Sequence, residues 1–335
     1  MSTGTRLLIA VLLLAALIGL FTWISADDTA GTGGTVAAAD VRVFTSSAEC
    51  RDCHQDVWDE WYGSHHQISY LNPEVRGLSD DFRNKECQAC HLPRPVSETG
   101  YGQRVLPRQT QPDEGVSCLT CHQGADGSIL GRNAVPSAPC KPRASQEMIA
   151  VQMCESCHNQ HQTTDQWRAS TFAQAGTTCN DCHMPEVERK LAGGATRKGR
   201  AHRYPGAHDP EMLKKAGRLG VRVEGRDVLV SMTNVGAGHN FPTEERHRAV
   251  DLLVRFIDKE GAAGEWQRAW RFRQPYRDEP GENTQQPAGQ SKEVRMAAPD
   301  GAVAAEVRMW YRLTPFVGDD DPKSTLLDER KVELQ

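Results

Sequence analysis

The chain has 335 residues, and at about 150 residues per domain this length predicts two domains. Hydrophobic residues make up 38% of the chain and aromatic residues only 6%, so we expect bound cofactors to fill part of the interior. The formal net charge of -5 lacks the basic field that nucleic-acid binding requires, which excludes nucleic acid as a partner.

Residues 1–26 are predicted to form an export segment, either a signal anchor or a signal peptide. Arg6 precedes an apolar run at residues 7–24, which is long for a cleaved signal and just long enough for a membrane span. The anchor is the preferred interpretation, because bulky Ile24 stands where cleavage after Ala26 needs a small residue. We therefore predict membrane association through residues 7–24, in the inner membrane.

Residues 27–45 are predicted to form a flexible linker. They include the tract DDTAGTGGTVAAAD, and small polar residues of this kind are typical of flexible connections. The basic residue before the apolar run and the acidic residues after it favour an N-terminus on the inside. Everything from Cys50 onward is then expected on the periplasmic or extracellular side.

Ten of the eleven cysteines fall into five copies of the pattern C-x-x-C-H. In this pattern the two thiols form thioethers with haem vinyl groups, and the following histidine is the proximal ligand of the iron. The predicted thioether residues are Cys50, Cys53, Cys87, Cys90, Cys118, Cys121, Cys154, Cys157, Cys179 and Cys182. The predicted proximal ligands are His54, His91, His122, His158 and His183. The sequence therefore predicts five covalently bound haem c groups.

Two other interpretations of the cysteines are less consistent with the pattern. Zinc sites do not require a histidine after every second cysteine, and an exported chain does not meet a reducing compartment. A thioredoxin-like redox pair would need a βαβ context and would not recur along the chain. Cys140, which no histidine follows, is given no role.

Seven further histidines are available as sixth ligands. They are His65, His66, His161, His202, His208, His239 and His247. An imidazole in the sixth position saturates the iron and favours electron transfer, whereas an empty position permits ligand binding or catalysis. Five haems need at most five distal ligands, so seven histidines are enough to saturate every iron. The count alone does not establish that they do.

The contexts of these histidines rank them as ligands. In WDEWYGSHHQIS, His66 is preferred over His65 as a distal ligand. His161 follows His158 by one helical turn and is interpreted equally well as a ligand or a surface residue. The turn-forming segments AHRYPGAHDPEM and GAGHNFPT make His202, His208 and His239 candidate ligands. The charged neighbours of His247 favour a solvated surface.

The sequence pattern changes after the fifth motif from short helices and loops to strands. The predicted fold class is therefore α+β. Residues 46–217 hold all five motifs and leave too few residues per haem for an ordinary side-chain core. We expect the haems to pack together as the core of this pentahaem cytochrome c domain. Short helices, such as Asp52 to Tyr62 and Gln146 to Cys157, are expected to join them, with loops between.

Residues 218–335 are predicted to form a β-sandwich. The segment VRVEGRDVLVSMTN predicts a hairpin with its turn at Glu224 to Asp227, and AVDLLVRFIDKEG and AAEVRMWYRLTPF each predict a strand. Strands at this spacing indicate an immunoglobulin-like sandwich. Its expected role is to dock a partner or to cover a haem through the loop that carries His239, and complex formation through this domain stays open.

Over residues 46–335 the chain resembles exported multihaem c-type cytochromes, and within them the branch related to the tetrahaem cytochrome of ammonia oxidisers. Besides the five motifs, the resemblance is carried by the stretch Trp61 to His66, by WRASTFAQAGTTCNDCHMP, by HRYPGAHDPEM and by GHNFPT. It implies mostly bis-histidine haems in closely stacked pairs and chains. One departure is Phe172, which stands where the first W-x-x-S element has His66, so one distal face must be supplied from elsewhere or stay open.

The leading functional hypothesis is a pentahaem cytochrome that transfers electrons between a membrane-associated donor and a periplasmic or extracellular acceptor, with redox proteins as partners. The alternative is a multihaem oxidoreductase that acts on a small nitrogen or sulfur compound at one five-coordinate haem. All five motifs end in His, which favours electron transfer, whereas Phe172 keeps the enzyme hypothesis open.

Overall fold

The structure, a computed structural model, describes residues 42–190, 194, 196–243, 247–276 and 279–334. Residues Val43–Gln335 form one compact unit. The predicted anchor at residues 7–24 lies outside the described residues and stays a prediction. Within the part of the chain that is described, no helix is both long and apolar enough to cross a membrane.

The first half of the described chain is built from short helices joined by loops. In chain order the helices are α1 (Ala48–Arg51), α2 (Gln55–Trp61), α3 (Pro73–Leu78), α4 (Lys85–His91), α5 (Cys118–His122), α6 (Val151–His158), α7 (Thr163–Arg168), α8 (Thr171–Gln174), α9 (Cys179–His183) and α10 (Pro210–Ala216). Turns of 3-10 helix lie between them at Val96–Glu98, Pro112–Glu114 and Gln146–Ile149.

Both helices named in the sequence analysis are present with shifted bounds. The segment from Asp52 to Tyr62 is helical only in α2, which begins after the capping residue His54. The segment from Gln146 to Cys157 begins as a 3-10 turn, and α6 then starts afresh because Ala150 is extended, with φ −80° and ψ 143°. The helix that carries the fourth motif is therefore shorter than predicted.

Four of the C-x-x-C-H motifs lie at helix C-termini, since α4, α5, α6 and α9 each end at the motif histidine. Residues three and four apart share one face of a helix, so both cysteines and the histidine are presented on the same side. Local caps begin two of these helices: Ser117 accepts a hydrogen bond from Thr120 N–H at the start of α5, and Asp181 accepts one from Thr178 N–H at 2.9 Å at the start of α9.

The helical part has a small hydrophobic core of its own. Within the described residues, its buried cluster consists of Ala89, Val96 and Val105, with Tyr101 and Met153 partly buried against it. The much larger cluster lies among the strands that follow residue 216. This is the shortage of side-chain core that the sequence analysis attributes to bound cofactors.

The strands lie mostly after residue 216, with four short ones among the helices. They are β1 (Leu130–Gly131), β2 (Arg143–Ala144), β3 (Glu186–Lys190), β4 (Thr196–Arg200), β5 (Gly217–Glu224), β6 (Asp227–Asn234), β7 (Ala249–Asp258), β8 (Gln267–Phe272), β9 (Ser291–Ala297), β10 (Ala302–Arg312) and β11 (Ser324–Glu333). The hairpin predicted around Glu224 to Asp227 is confirmed as β5–β6, and the two further predicted strands are confirmed as β7 and β10. The fold is α+β.

The strands from β5 onward form two antiparallel sheets, in the orders β5-β6-β9 and β11-β10-β7-β8. Successive side chains of a strand point to opposite faces, and alternate residues of three strands are buried in one cluster. These residues are Val228, Val230 and Met232 of β6, Val250, Leu252 and Val254 of β7, and Val307, Met309 and Tyr311 of β10. The two sheets therefore share one hydrophobic core.

A buried carboxylate of the second sheet offers a test of this arrangement. Asp251 accepts hydrogen bonds from the Nε atoms of Arg271 and Arg312, each at 2.6 Å. We expect Asp251→Ala to lower the free energy of unfolding by about 3 kcal/mol, because two guanidinium groups lose their partner. Denaturant unfolding followed by circular dichroism measures the loss. The exposed Asp300 is the control, and Asp300→Ala should leave the midpoint unchanged; equal midpoints for both variants would contradict the prediction.

Candidate functional site

The cysteine motifs are numbered here 1 to 5 in chain order, at residues 50–54, 87–91, 118–122, 154–158 and 179–183. All eleven cysteines lie among the described residues, and none forms a disulfide bond. The ten motif thiols therefore remain available for thioether bonds.

Motifs 3, 4 and 5 each bring their histidine opposite a second imidazole. The ring centres are 6.1 Å apart for His66 and His158, 6.3 Å apart for His122 and His202, and 6.3 Å apart for His183 and His239. The planes of the paired rings are inclined by 36°, 29° and 15° respectively. Three histidines from outside the motifs are thus matched one to one with motif histidines.

These distances suit two imidazoles on opposite faces of one iron. An imidazole nitrogen bonds a metal at about 2.0 Å, and the ring centre lies about 1.1 Å beyond it, which gives about 6.3 Å between trans ring centres. His65 and His208 behave differently, since their rings stack at 3.9 Å. That separation leaves no room for an iron between them.

Hydrogen bonds orient five of these imidazoles for metal binding. The distances between Nδ1 and a backbone carbonyl oxygen are 3.1 Å for His91 and Ser69, 2.9 Å for His122 and Leu130, 2.6 Å for His183 and Pro205, 2.8 Å for His202 and Arg200, and 2.9 Å for His239 and Asn240. A carbonyl only accepts, so Nδ1 carries the proton and Nε2 keeps its lone pair. This is the usual support of a metal-bound histidine.

The surrounding protein also keeps the candidate ligands neutral. Desolvation lowers the pKa of His66 to about 3, and the charge of His158 acts in the same direction. Desolvation lowers the pKa of His202 to about 4, with a further contribution from His122. The neutral imidazole is the form that binds a metal, so these sites suit haem iron.

The segment that carries His66 is held by a close backbone contact. Val116 N–H donates to the carbonyl oxygen of His66 at 2.8 Å, and Trp61 Nε1 donates to the carbonyl oxygen of Val116 at 2.9 Å. Gly115 adopts φ +45°, and a Cβ there would lie 2.3 Å from the carbonyl oxygen of Gln67. Only glycine lets the two segments approach this closely.

A buried ion pair holds the backbone at His202. Glu60 Oε2 accepts a hydrogen bond from His202 N–H at 2.7 Å, and the same carboxylate pairs with Arg189. Glu60 belongs to α2 and Arg189 to β3, so the position of His202 depends on two separate elements. The sequence analysis missed both residues, because neither lies in a recognisable motif.

The loop that carries His239 packs against α7 and α8. Asn240 N–H donates to Gln166 Oε1 at 3.2 Å, and a Cβ at Gly238 would lie 3.3 Å from Phe172 Cβ. Phe172, which replaces the histidine of the first W-x-x-S element, thus lies against the neighbour of His239. The imidazole opposite motif 5 comes from the strand-rich part of the chain.

Thiols from different motifs also meet. Cys50 lies near Cys118, Cys90 near Cys157, and Cys154 near Cys179. The neighbouring thiol raises the pKa of Cys50 and lowers that of Cys118. Cys121 is near enough for its charge to raise the pKa of Cys154 and Cys157. Neighbouring thiols thus relate motif 1 to motif 3, and motif 4 to motifs 2, 3 and 5.

The remaining candidate histidines have other surroundings. His65 and His208 are exposed, and Arg248 lies 3.5 Å from His208 Nε2. His161 lies beyond the end of α6, so it does not share a helical face with His158 as the sequence suggested. Its buried Nδ1 has no hydrogen-bond partner among the described residues. His247 forms a hydrogen bond with Tyr276.

A cavity beside motif 1 is lined by Cys53 and His54, by Asp56 and Val57 of α2, by Arg189, Lys190, Arg197, Gly199 and Arg200 of β3 and β4, and by His202. Desolvation lowers the pKa of His54, and the charge of Arg197 lowers it further. The basic hairpin β3–β4 therefore forms one wall of the space next to the first motif histidine.

Comparison with known proteins agrees with this chemistry. The family described as cytochrome c554 and c-prime matches residues 49–123. No curated protein matches the chain. The family match covers the first three motifs and the segment that carries His66.

Among solved structures, the crystal structure of a penta-heme cytochrome c552 from Thermochromatium tepidum is similar to this chain, with a TM-score of 0.65 and 18% identity. The alignment covers 87% of this chain and 99% of that chain, and at this identity it shows the fold. A superoxide reductase structure aligns with 36% of this chain and 88% of its own chain at 9% identity. Its TM-score of 0.20 is too low to indicate a shared fold. The family and fold matches support a multihaem c-type cytochrome with covalently bound haem c.

Gly115 gives a test of how His66 is positioned. At a positive φ an added Cβ costs roughly 1–2 kcal/mol, and at Gly115 it also meets backbone atoms. We expect Gly115→Ala to lower the melting temperature more than Gly225→Ala, which has φ +59° but nothing within 4 Å. Thermal unfolding followed by haem absorbance measures both. Equal losses would show that the close contact does not constrain the segment.

Proposed function

We propose that the chain is a pentahaem c-type cytochrome that transfers electrons between a membrane-associated donor and a periplasmic or extracellular acceptor. The spacing of the three imidazole pairs carries the proposal, because it suits irons with both axial positions filled. A saturated iron exchanges electrons but has no open position for a substrate. The comparisons support the general part of this proposal, which is electron transfer by a multihaem c-type cytochrome.

In this proposal the haems of motifs 3, 4 and 5 have assigned distal ligands. His202 binds the iron opposite His122, His66 the iron opposite His158, and His239 the iron opposite His183. The distances, the Nδ1 hydrogen bonds and the low pKa values of His66 and His202 support these pairs. His65, His161 and His208 remain the candidates for the haems of motifs 1 and 2, whose proximal ligands are His54 and His91.

The proposed count of five haems rests on the five motifs. The small size of the buried apolar cluster in the described helical part supports it, since several large apolar groups would fill the interior. The similar solved structure is described as a penta-heme cytochrome, and the alignment covers 99% of it. The relationship to the tetrahaem cytochrome of ammonia oxidisers remains part of the proposal; the family match at residues 49–123 covers the first three motifs of this chain.

The proximity of thiols from different motifs suggests the electron path. Thioether bonds attach at the edge of the porphyrin, so neighbouring motif cysteines imply neighbouring haem edges. Neighbouring thiols relate motif 1 to motif 3, and motif 4 to motifs 2, 3 and 5. We infer a branched network with the motif 4 haem at its centre, in which each transfer crosses a short gap.

The strand-rich part is proposed to be an immunoglobulin-like sandwich. Lettered A, B, C, C′, E, F and G in chain order, its strands form an A-B-E sheet and a G-F-C-C′ sheet. Immunoglobulin domains likewise place A, B and E in one sheet and C, F and G in the other, and variable-type domains add C′ to the second sheet. In the proposal the domain supplies His239 to the motif 5 haem and leaves its outer faces for redox partners.

The proposed location is outside the cytoplasm, as is typical of multihaem c-type cytochromes. The apolar run at residues 7–24 supports export and, in the preferred interpretation, an uncleaved inner-membrane anchor. An anchor of this kind would keep the haems close to a membrane-associated donor.

An oxidoreductase that acts at one five-coordinate haem is the second candidate. The basic cavity beside His54 favours it, because Lys190 and Arg197 would attract small anions such as nitrite or a sulfur oxyanion. A five-coordinate ferric haem is high-spin, whereas a bis-imidazole haem is low-spin. The two candidates therefore differ in spin state.

The first test counts haems and their spin states. We expect the pyridine haemochrome assay to give five haems per chain, and electron paramagnetic resonance of the oxidised protein to show low-spin signals from the bis-imidazole haems. The inclinations of 15° to 36° predict ordinary rhombic spectra, since perpendicular rings are needed for highly anisotropic ones. A high-spin signal equal to one haem would favour the second candidate, and fewer than five haems would overturn the pentahaem proposal.

The second test removes one proposed ligand. His239→Ala should convert roughly one fifth of the haem from low-spin to high-spin, because a single iron loses its sixth ligand. The matched control is His247→Ala in the same part of the chain, where the spectrum should stay that of the wild type. A low-spin spectrum in His239→Ala with full haem content would remove His239 as a ligand.

A further inference from the structure

The short segment from His202 to Pro205 contacts the ligand groups of three motifs. His202 itself faces His122 of motif 3. The ring of Tyr204 lies 4.0 Å from that of His66, which faces His158 of motif 4. The carbonyl oxygen of Pro205 holds His183 Nδ1 of motif 5 at 2.6 Å.

Tyr204 is placed between the two distal imidazoles of this group. Its ring is inclined by 43° to that of His66, and it meets His202 edge-on, with centres 5.8 Å apart and an interplanar angle of 80°. The imidazoles of His66 and His202 therefore share the phenol ring of Tyr204 as a neighbour.

The backbone at Tyr204 is held in a conformation that tyrosine rarely adopts. Its φ is +52°, in the left-handed region that is unfavourable for bulky residues. It also precedes Pro205, and a residue before proline prefers an extended conformation. Such a conformation persists only where the surrounding structure fixes it. The contacts of His202 with Glu60 and of Pro205 with His183 fix it from both sides.

We propose that Tyr204 is a positioning residue that sets the ring orientations of His66 and His202, and through them the electronic structure of the haems of motifs 4 and 3. The inference rests on the proposed function, because it takes both histidines as axial ligands. A bond to iron fixes where Nε2 lies but leaves the ring free to rotate about that bond. His202 has an Nδ1 hydrogen bond that restricts this rotation, and the Tyr204 ring restricts it at both ligands.

The orientation of axial rings is observable. In a low-spin ferric haem, the angle between the two imidazole planes determines the g values, so a rotated ligand shifts the spectrum while the iron stays six-coordinate. Loss of a filler residue elsewhere in the core would lower stability without moving the g values of two particular haems. This difference separates positioning from packing.

The experiment compares electron paramagnetic resonance spectra of oxidised, fully haem-loaded variants. Tyr204→Leu removes the ring and keeps most of the bulk, whereas Tyr204→Phe keeps the ring and removes the hydroxyl. Tyr204→Asn removes the ring with a residue that tolerates the left-handed conformation, and it replaces the leucine variant if that one loses haem. Tyr311→Leu, at a buried tyrosine of β10, is the control.

We expect Tyr204→Leu and Tyr204→Asn to shift the g values of two haems, with the spectra of Tyr204→Phe and Tyr311→Leu unchanged. His66→Ala and His202→Ala, which should each convert one haem to high-spin, identify the two signals. An unshifted spectrum in the ring-less variants, or a shift in Tyr204→Phe or in haems other than these two, would overturn the inference. If neither histidine variant changes a spin state, the proposed ligands are wrong, and that failure is distinct from the first.

Discussion

The described helical part of the chain gathers few of its buried apolar side chains into one cluster, and the rest of its organisation follows from the small size of that cluster. Ala89, Val96 and Val105 form a cluster too small to hold so many short helices together. In the proposed function, covalently attached haems fill this interior. The polypeptide then has to present thiols and imidazoles at fixed points, and it does so by ending helices at motif histidines and orienting Nδ1 atoms with backbone carbonyls.

Local chemistry could be predicted from the sequence, whereas tertiary pairing could not. Thiols and imidazole within one helical turn define each motif, so these residues were identified without a structure. The partner of each motif histidine lies in a distant segment, and no spacing predicts that His66 faces His158 or that His202 faces His122. The preference for His66 over His65 rested on its place in a W-x-x-S element; the structure turns His65 instead onto His208.

In the sheets, too, the strands could be predicted from the sequence but their packing could not. Apolar runs and alternations predicted β6, β7 and β10, because both patterns are local properties of each strand. The order of the strands and the contribution of their loops to the site depend on packing. Asn234, buried at the end of β6, donates from Nδ2 to the carbonyl oxygen of His239 at 2.8 Å. The core of the sheets thereby fixes the loop that faces motif 5, so the strand-rich part completes the site as well as covering it.

Positive-φ residues explain what sequence reasoning missed at the site itself. Gly115 is recognisable in principle, since glycine is common where backbones approach closely. Tyr204 gives no such signal, because tyrosine before proline predicts an extended residue. Its left-handed conformation is imposed by neighbours on both sides, and those neighbours serve motifs 3 and 5. The four-residue segment around this distortion contacts the ligand groups of three motifs.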